Sequence, residues 1–359
     1  MLKKHAPLTA LLTFTVLLAF TACQPNDPGS EPVDPTTLDY SSVDRILTDS
    51  MTTVFDGRCY AVIHVEGREV YAKGWGGYNG NTRALIASCS KWLSGAVLMS
   101  LVDQGALKLE DTVGKYLPVF TTYGKGKITL AQLFSHTSGF PGNSAQGYES
   151  DQTLTLAKAV DSIAKNVPLI NVPGTKFNYG GVSMQVAGRI CEVASGKSWN
   201  TLIQEKIYTP CGMTNTDFGL TTNPIIAGGA RSTPNDYISF LDMLMRKGLT
   251  STGTRVLSEA SVLAMEKSYT TGVTIQNTPY PVSYFTTGGI YGIGNWRDVT
   301  TSADVLIENS SPGAFGSHPW VNRGKKITGF IFTLLPAGSG FVTAPTCLKV
   351  RETLRSIVP

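Results

Sequence analysis

The chain has 359 residues, 42 % of them hydrophobic and 16 % charged. That length and balance support a sizeable core and exclude a disordered profile. The formal charge is +4, and no basic block with interleaved aromatics occurs, so nucleic acid is not an expected partner.

In chain order, "MLKK" is a cationic start, "PLTALLTFTVLLAF" an apolar run, and "TAC" a small-residue end at Cys23. This is the pattern of an export signal over residues 1–22, too short and wrongly flanked for a membrane-spanning helix. A cysteine after small residues also matches bacterial lipoprotein processing, which makes Cys23 the expected lipidation site. Phe20 is unusual at the third position before that cysteine, and plain secretory cleavage stays open. The expectation is an exported lipoprotein at the outer membrane or periplasmic face, meeting the membrane only through its lipid. Without Lys3 and Lys4 the balance is 28 basic against 26 acidic groups, or +2. Residues 23–40, including "QPNDPGSEPVDPTTLDY", are rich in proline and acid and read as a tether.

Residues 41–55 carry a helical pattern. "CYAVIHVEGREVYAKGWGGYN" alternates about Glu66-Gly67 and predicts a β-hairpin. "ALIASCSKWLSGAVLMSLVDQGAL" follows as an apolar helix. From about 110 to 285 the signals are helical or loop, at "TLAQLFSH", "TLAKAVDSIAKNV", "VSMQVAGRICEVASG", "WNTLIQEKIY" and "TPNDYISFLDMLMRKG". Strands return at "GIYGIGNW", "GAFGSHPWVN" and "KITGFIFTLLP", and a helix closes the chain near "APTCLKVRETLRSIV". The predicted class is α+β, of the α/β sandwich type: an antiparallel sheet flanked by helices, with a mostly helical region inserted. The domain spans 41–359, its sheet part about 41–110 and 285–359, its helical part about 110–285.

The apolar helix carries Ser88 and Lys91 three residues apart, hence on one face. A serine needs a base to become a nucleophile, and a lysine in a dry site loses its preference for the charged form. The same two residues also suit a capping serine and a lysine that snorkels to solvent, and the tetrapeptide alone leaves both readings open. Beyond Cys23 there are five cysteines, Cys59, Cys89, Cys191, Cys211 and Cys347, an odd number without a C-x-x-C pair. The four histidines are scattered, so neither a metal nor a cofactor is expected.

Further blocks add context. "SCSKWLSGAVLMSLVDQGALKLEDTVGKYLP", "ITLAQLFSHTSGFPG", "PGTKFNYGGVSMQVAGRICEVASGKSW", "GGARSTPNDYISFLDMLMRKG" and "YGIGNW" occur in this order. Together they resemble the serine β-lactamase and penicillin-binding superfamily, particularly its class C, esterase and D-aminopeptidase branch, over about residues 45–340. The resemblance implies that Ser88 forms an acyl-enzyme and that Lys91 and Tyr179 handle protons, the Tyr179 phenol acting as a general base ionised below its free pKa. It also implies an oxyanion hole from the N–H groups of Ser88 and Ala314, with Gly313 admitting the substrate backbone.

Two departures stand out. The superfamily's Lys-Thr-Gly, Lys-Ser-Gly or His-x-Gly is here Ser311-Pro312-Gly313, which leaves a hydroxyl where a substrate carboxylate would be gripped. Its Tyr-x-Asn is here Tyr179-Gly180-Gly181, without the amide. At about 1–3 kcal/mol each, these losses weaken β-lactam or D-Ala-D-Ala binding and favour ester chemistry. The expected function is an exported serine esterase or acyltransferase, with a small-molecule ester, amide or other acyl donor and an alcohol acceptor as partners. Two rivals remain open. One is a β-lactamase or D-Ala peptidase whose carboxylate grip comes from Arg323, Lys325 or Lys326; the other is a non-catalytic sensor or binding domain. Ser311, Gly313, Trp296 and Trp320 are expected at the substrate, and Tyr291 beside them, although the aromatics equally suit packing at a sheet edge. His136 suits either catalysis or a structural hydrogen bond, and Cys89 is expected in the core.

Overall fold

The computed structural model describes residues 33–286 and 289–359. The export signal, Cys23 and the tether up to Pro32 lie outside the described residues. The end of the expected tether is packed rather than extended: Tyr40 is buried and donates its hydroxyl to the Pro35 carbonyl at 2.9 Å. The compact unit begins at Pro35. No helix among the described residues is long and apolar enough to cross a membrane.

A six-stranded antiparallel sheet organises the domain. Its strands are β1 (Cys59–Val65), β2 (Arg68–Trp75), β3 (Trp296–Thr300), β4 (Leu306–Ser310), β5 (His318–Asn322) and β6 (Ile327–Phe332), in the order β2-β1-β6-β5-β4-β3. The two ends of the chain therefore meet in the β1–β6 ladder, as the sequence pattern predicts. Glu66 and Gly67 both take positive φ, which closes the β1–β2 hairpin with the twist that strands require.

Alternation sorts the two faces. Ala61, Ile63, Val65, Ile327 and Ile331 pack with α1 (Ser41–Asp49) and the C-terminal helix Ser339–Ile357. Val62, Phe330 and Phe332 face the other core. That second core is built around α2 (Ser90–Asp103), which is buried from Ser90 through Leu101. A helix buried on every side needs mostly apolar residues all round, and its buried Ser94 and Ser100 satisfy their hydroxyls on the carbonyls of Ile226 and Val97. The inserted helices α3 (Leu156–Asn166), α4 (Val182–Ser195) and α5 (Pro234–Met245) share this core: α4 packs on α2, α3 packs on α4, and α5 meets α2 where Phe240 stands edge-on to Trp92. Their ends follow capping rules: Thr155 and Thr233 cap the starts of α3 and α5, and Gly196 turns left-handed after α4.

Two expectations shift. "GIYGIGNW" is a tight turn that becomes strand only at Trp296. Strand β4, with Glu308 buried inside it, gives no apolar alternation to read. That carboxylate is held by the C-terminal helix: Arg351, itself 1 % exposed, reaches Glu308 at 2.5 Å, Asp298 at 2.8 Å and His318 Nε2 at 2.9 Å. Arg355 brings a second guanidinium to Glu308. Removing one partner of such a buried network leaves uncompensated charge. Arg351→Met is therefore expected to lower stability by about 3–5 kcal/mol, read as a shift of the urea midpoint. A loss below about 1 kcal/mol would mean that Asp298 and Glu308 do not depend on this guanidinium.

Candidate active site

Ser88 sits on a 3-10 turn, Ala87–Cys89, that leads into α2. Ala87 before it adopts φ +44°, a left-handed conformation that costs a non-glycine residue about 1–2 kcal/mol. The turn is held in that shape from several sides. The Ser90 hydroxyl donates to the Ala87 carbonyl at 2.6 Å and accepts from the Ala230 N–H at 3.1 Å. Tyr237 donates to the Cys89 carbonyl at 2.7 Å, and the Ile86 N–H reaches the Ala230 carbonyl at 3.0 Å.

Lys91, 3 % exposed, places Nζ 3.0 Å from Ser88 Oγ and 2.9 Å from the Ala227 carbonyl. No carboxylate among the described residues pairs with it. Burial lowers its pKa to about 7, so a neutral amine is available near neutral pH to accept the serine proton. Nζ also lies 4.5 Å from the centroid of the Tyr179 ring, where the ring face favours whatever positive charge it gains.

Tyr179 follows the short strand Lys176–Asn178. Gly180 is required beside it, because a Cβ there would stand 2.0 Å from the Gly142 carbonyl oxygen. The phenol is stacked on Trp296, with ring centroids 5.0 Å apart. Burial pushes its pKa well above the usual range, and the adjacent Ser88 hydroxyl only partly opposes that shift. Burial therefore runs against the expected phenolate, since it favours the neutral Tyr179 hydroxyl, while the Lys91 amine stands within hydrogen-bond reach of Ser88 Oγ.

Two cavities meet at Ser88 and Tyr179. The larger, about 490 Å³, has a polar wall from Lys91, Asn143, Glu149, Ser150 and Asn277. The smaller, about 270 Å³, is walled by Pro279, Tyr280, Pro312 and Phe341. Ala314 opens on this second cavity, and neither its N–H nor that of Ser88 is engaged by another backbone group among the described residues. Two free N–H groups beside the nucleophile form a pair that an oxyanion can use.

The Beta-lactamase family model matches residues 44–341. The chain belongs to the Beta-lactamase family. A solved structure of a candidate beta-lactamase from Bacteroides dorei DSM 17855 is similar at TM-score 0.81 and 30 % identity, covering 90 % of this chain and 99 % of that one. EstCE1, described as a hydrolase with promiscuous acyltransferase activity, shares the fold at TM-score 0.71 and 18 % identity, covering 88 % and 97 %. A candidate D-alanyl-D-alanine carboxypeptidase of Escherichia coli (strain K12) is 29 % identical over 189 residues, 44 % of this chain and 42 % of that protein. The chain spans about half the length of the curated relatives it matches.

Within this Beta-lactamase family fold, several residues expected at the substrate are elsewhere. Ser311 is buried and donates its hydroxyl to the Ser88 carbonyl at 3.0 Å, so it positions the nucleophile turn rather than a substrate. Gly313 admits that same turn: a Cβ would stand 2.4 Å from the Ile86 carbonyl oxygen. Trp320 is buried on the opposite sheet face, its ring over Gly329. Trp296 and Tyr291 are buried behind Tyr179 and line neither cavity.

His136 makes no structural hydrogen bond, since neither ring nitrogen has a partner. It sits at positive φ among Phe177, Tyr179 and Tyr291, and burial holds its pKa well below the ordinary value. Cys89 is buried as expected, and the five cysteines of the described residues are all free and buried.

Arg323 and Lys326 line a separate cavity, where Arg323 pairs with Glu266 and Lys326 with Glu66. Lys325, on the turn between β5 and β6, lines neither cavity at Ser88. Among the described residues lining the two cavities at Ser88, Lys91 is the one cation. Sequence reasoning missed Asn143 and Glu149, which come from a loop without periodicity, and Asn277, which ends the short strand Thr274–Asn277. Asn143 Oδ1 accepts from the Gly181 N–H at 2.9 Å, so an amide reaches the point where the Tyr-x-Asn amide is missing.

Because the base must be unprotonated, activity is expected to rise with pH as Lys91 loses its proton. On any turned-over ester, kcat/KM should climb about tenfold per pH unit below about 7 and level off above it. A profile level across that region would remove Lys91 from the role of base.

Proposed function

We propose that the chain is a serine esterase or acyltransferase working through an acyl-enzyme on Ser88. The observation that carries this reading is the junction of a polar and an apolar cavity at one nucleophile, with no cation beyond Lys91 lining either. A β-lactam or a D-Ala-D-Ala terminus brings a carboxylate that such walls do not pair. An uncharged ester asks for no clamp. The E. coli relative is described as a carboxypeptidase, a substrate class for which these cavities offer no counter-charge.

Lys91 takes the Ser88 proton as Oγ attacks the ester carbonyl. The N–H groups of Ser88 and Ala314 receive the oxyanion. The tetrahedral adduct then expels an alkoxide, which takes a proton from the Tyr179 hydroxyl while Lys91 returns one to Tyr179. Water or a second alcohol reverses these steps at the acyl carbon. The apolar cavity, with exposed Phe341 at its edge, suits an alcohol acceptor and excludes water from it. EstCE1, which shares the fold, is described as doing both reactions. On the same reading the protein is exported and anchored through Cys23, and palmitate incorporation that Cys23→Ser abolishes would support that placement.

A fluorophosphonate probe should label the wild type and not Ser88→Ala; an unlabelled wild type would favour a binding domain. Lys91→Ala and Tyr179→Phe should each lose at least about a hundredfold in kcat/KM. With a hydrophobic alcohol present, mass analysis should show a new ester beside the free acid. Turnover of nitrocefin as efficient as that of simple esters would overturn the ester reading.

A further inference from the structure

Glu149 lies on the wall of the larger cavity and is 6 % exposed. Its carboxylate accepts from the Ser144 N–H at 3.0 Å and the Ser144 hydroxyl at 2.5 Å. Both donors are neutral, and no cation among the described residues pairs with it. A buried carboxylate without a countercharge is costly and is rarely kept without a use. Lys91 shares the cavity but is committed to Ser88 and Ala227. The remaining polar wall, Asn143, Ser150 and Asn277, is uncharged. The cavity therefore presents one fixed negative charge and nothing that answers it.

The residue at 181 explains why that charge is open to a ligand. Where the superfamily motif carries asparagine, Gly181 has no side chain, and a Cβ there would stand 3.0 Å from Glu149 Cγ. A larger residue there would crowd the stem of Glu149 and the Asn143 amide oxygen, so the acid could not keep this position on the cavity wall. The bare glycine and the unpaired acid form one feature.

We propose that this cavity receives a protonated amine on the acyl part of the substrate, paired with Glu149, so that the preferred substrates are esters of amino-bearing acids. This inference rests on the ester-cleaving reading and narrows it. The amine end sits at Glu149 while the ester carbonyl lies at Ser88, and the alcohol leaves through the apolar cavity.

The test compares p-nitrophenyl esters of β-alanine, butanoate and succinate, which are cationic, neutral and anionic at nearly equal length. In the wild type, kcat/KM for the β-alanyl ester should exceed that for the butanoyl ester by about tenfold or more, with the succinyl ester lowest. In Glu149→Gln the β-alanyl to butanoyl ratio should fall to within about threefold of one. A wild-type ratio near one, or a ratio that survives the substitution, would overturn the proposal. Because Glu149 also holds the Ser144 loop, a measurement on the wild type stands beside the variant: propylammonium should inhibit butanoyl turnover competitively, and propionate should not. If none of the three esters turns over, the ester reading fails, and propylammonium binding to Ser88→Ala by calorimetry still decides the Glu149 pairing; no binding there would overturn it.

Discussion

The chemistry depends on an amine held 3.0 Å from a hydroxyl with no carboxylate beside it. A lysine paired with an acid would stay charged and would be useless as a base. Here the burial of α2 itself sets the protonation state, and the only fixed partners of Nζ are a hydroxyl and a carbonyl. The cost of burying the charged form of Lys91 is what leaves its amine unprotonated near neutral pH. This requires the helix to be buried on every side, and the nucleophile sits on the turn that leads into it.

Holding the hydroxyl in place requires the sheet. The loop after β4 approaches the nucleophile turn so closely that Gly313 has no room for a side chain, and Ser311 ties the Ser88 carbonyl to it. From the helical side, Tyr237 and Ala230 fix the same turn. Ser88 thus belongs to neither region alone, and the left-handed Ala87 before it persists because both sides over-determine the turn. The Arg351 network works one layer further out, fastening β3, β4 and β5 to the C-terminal helix. A glycine and a serine that look like remnants of a substrate clamp are therefore parts of the mount.

How much of this was legible in the sequence follows from what each signal encodes. The β1–β2 hairpin shows because Glu66-Gly67 interrupts a clean alternation, and the inserted helices show because Thr155, Thr233 and Gly196 mark their ends. Ser88, Lys91 and Tyr179 were legible through blocks of resemblance, and the structure brings them together. Strand β4 was not, because the charge of Glu308 is answered by a residue 43 positions away. Trp320 could not be assigned, since a tryptophan reads the same whichever sheet face it takes. The desolvation that raises the Tyr179 pKa is invisible in sequence, which shows its neighbours but not its burial. Asn143 and Glu149 sit in a loop whose path no periodicity announces.

The two departures from the superfamily pattern make sense together once the charges are placed. Without a basic residue at 311, nothing in either cavity attracts a carboxylate; with glycine at 181, an acid that an asparagine would have screened faces the substrate. Either change alone would leave a weakened site for the ancestral ligand. On the proposed reading, together they reverse the electrostatic preference while leaving the Ser88–Lys91 pair untouched. Selectivity in this fold is then set by what surrounds the acyl carbon rather than by the machinery that attacks it. On the proposed reading the catalytic turn is indifferent to substrate charge, because burial, and not a charge on the walls, favours the neutral form of Lys91.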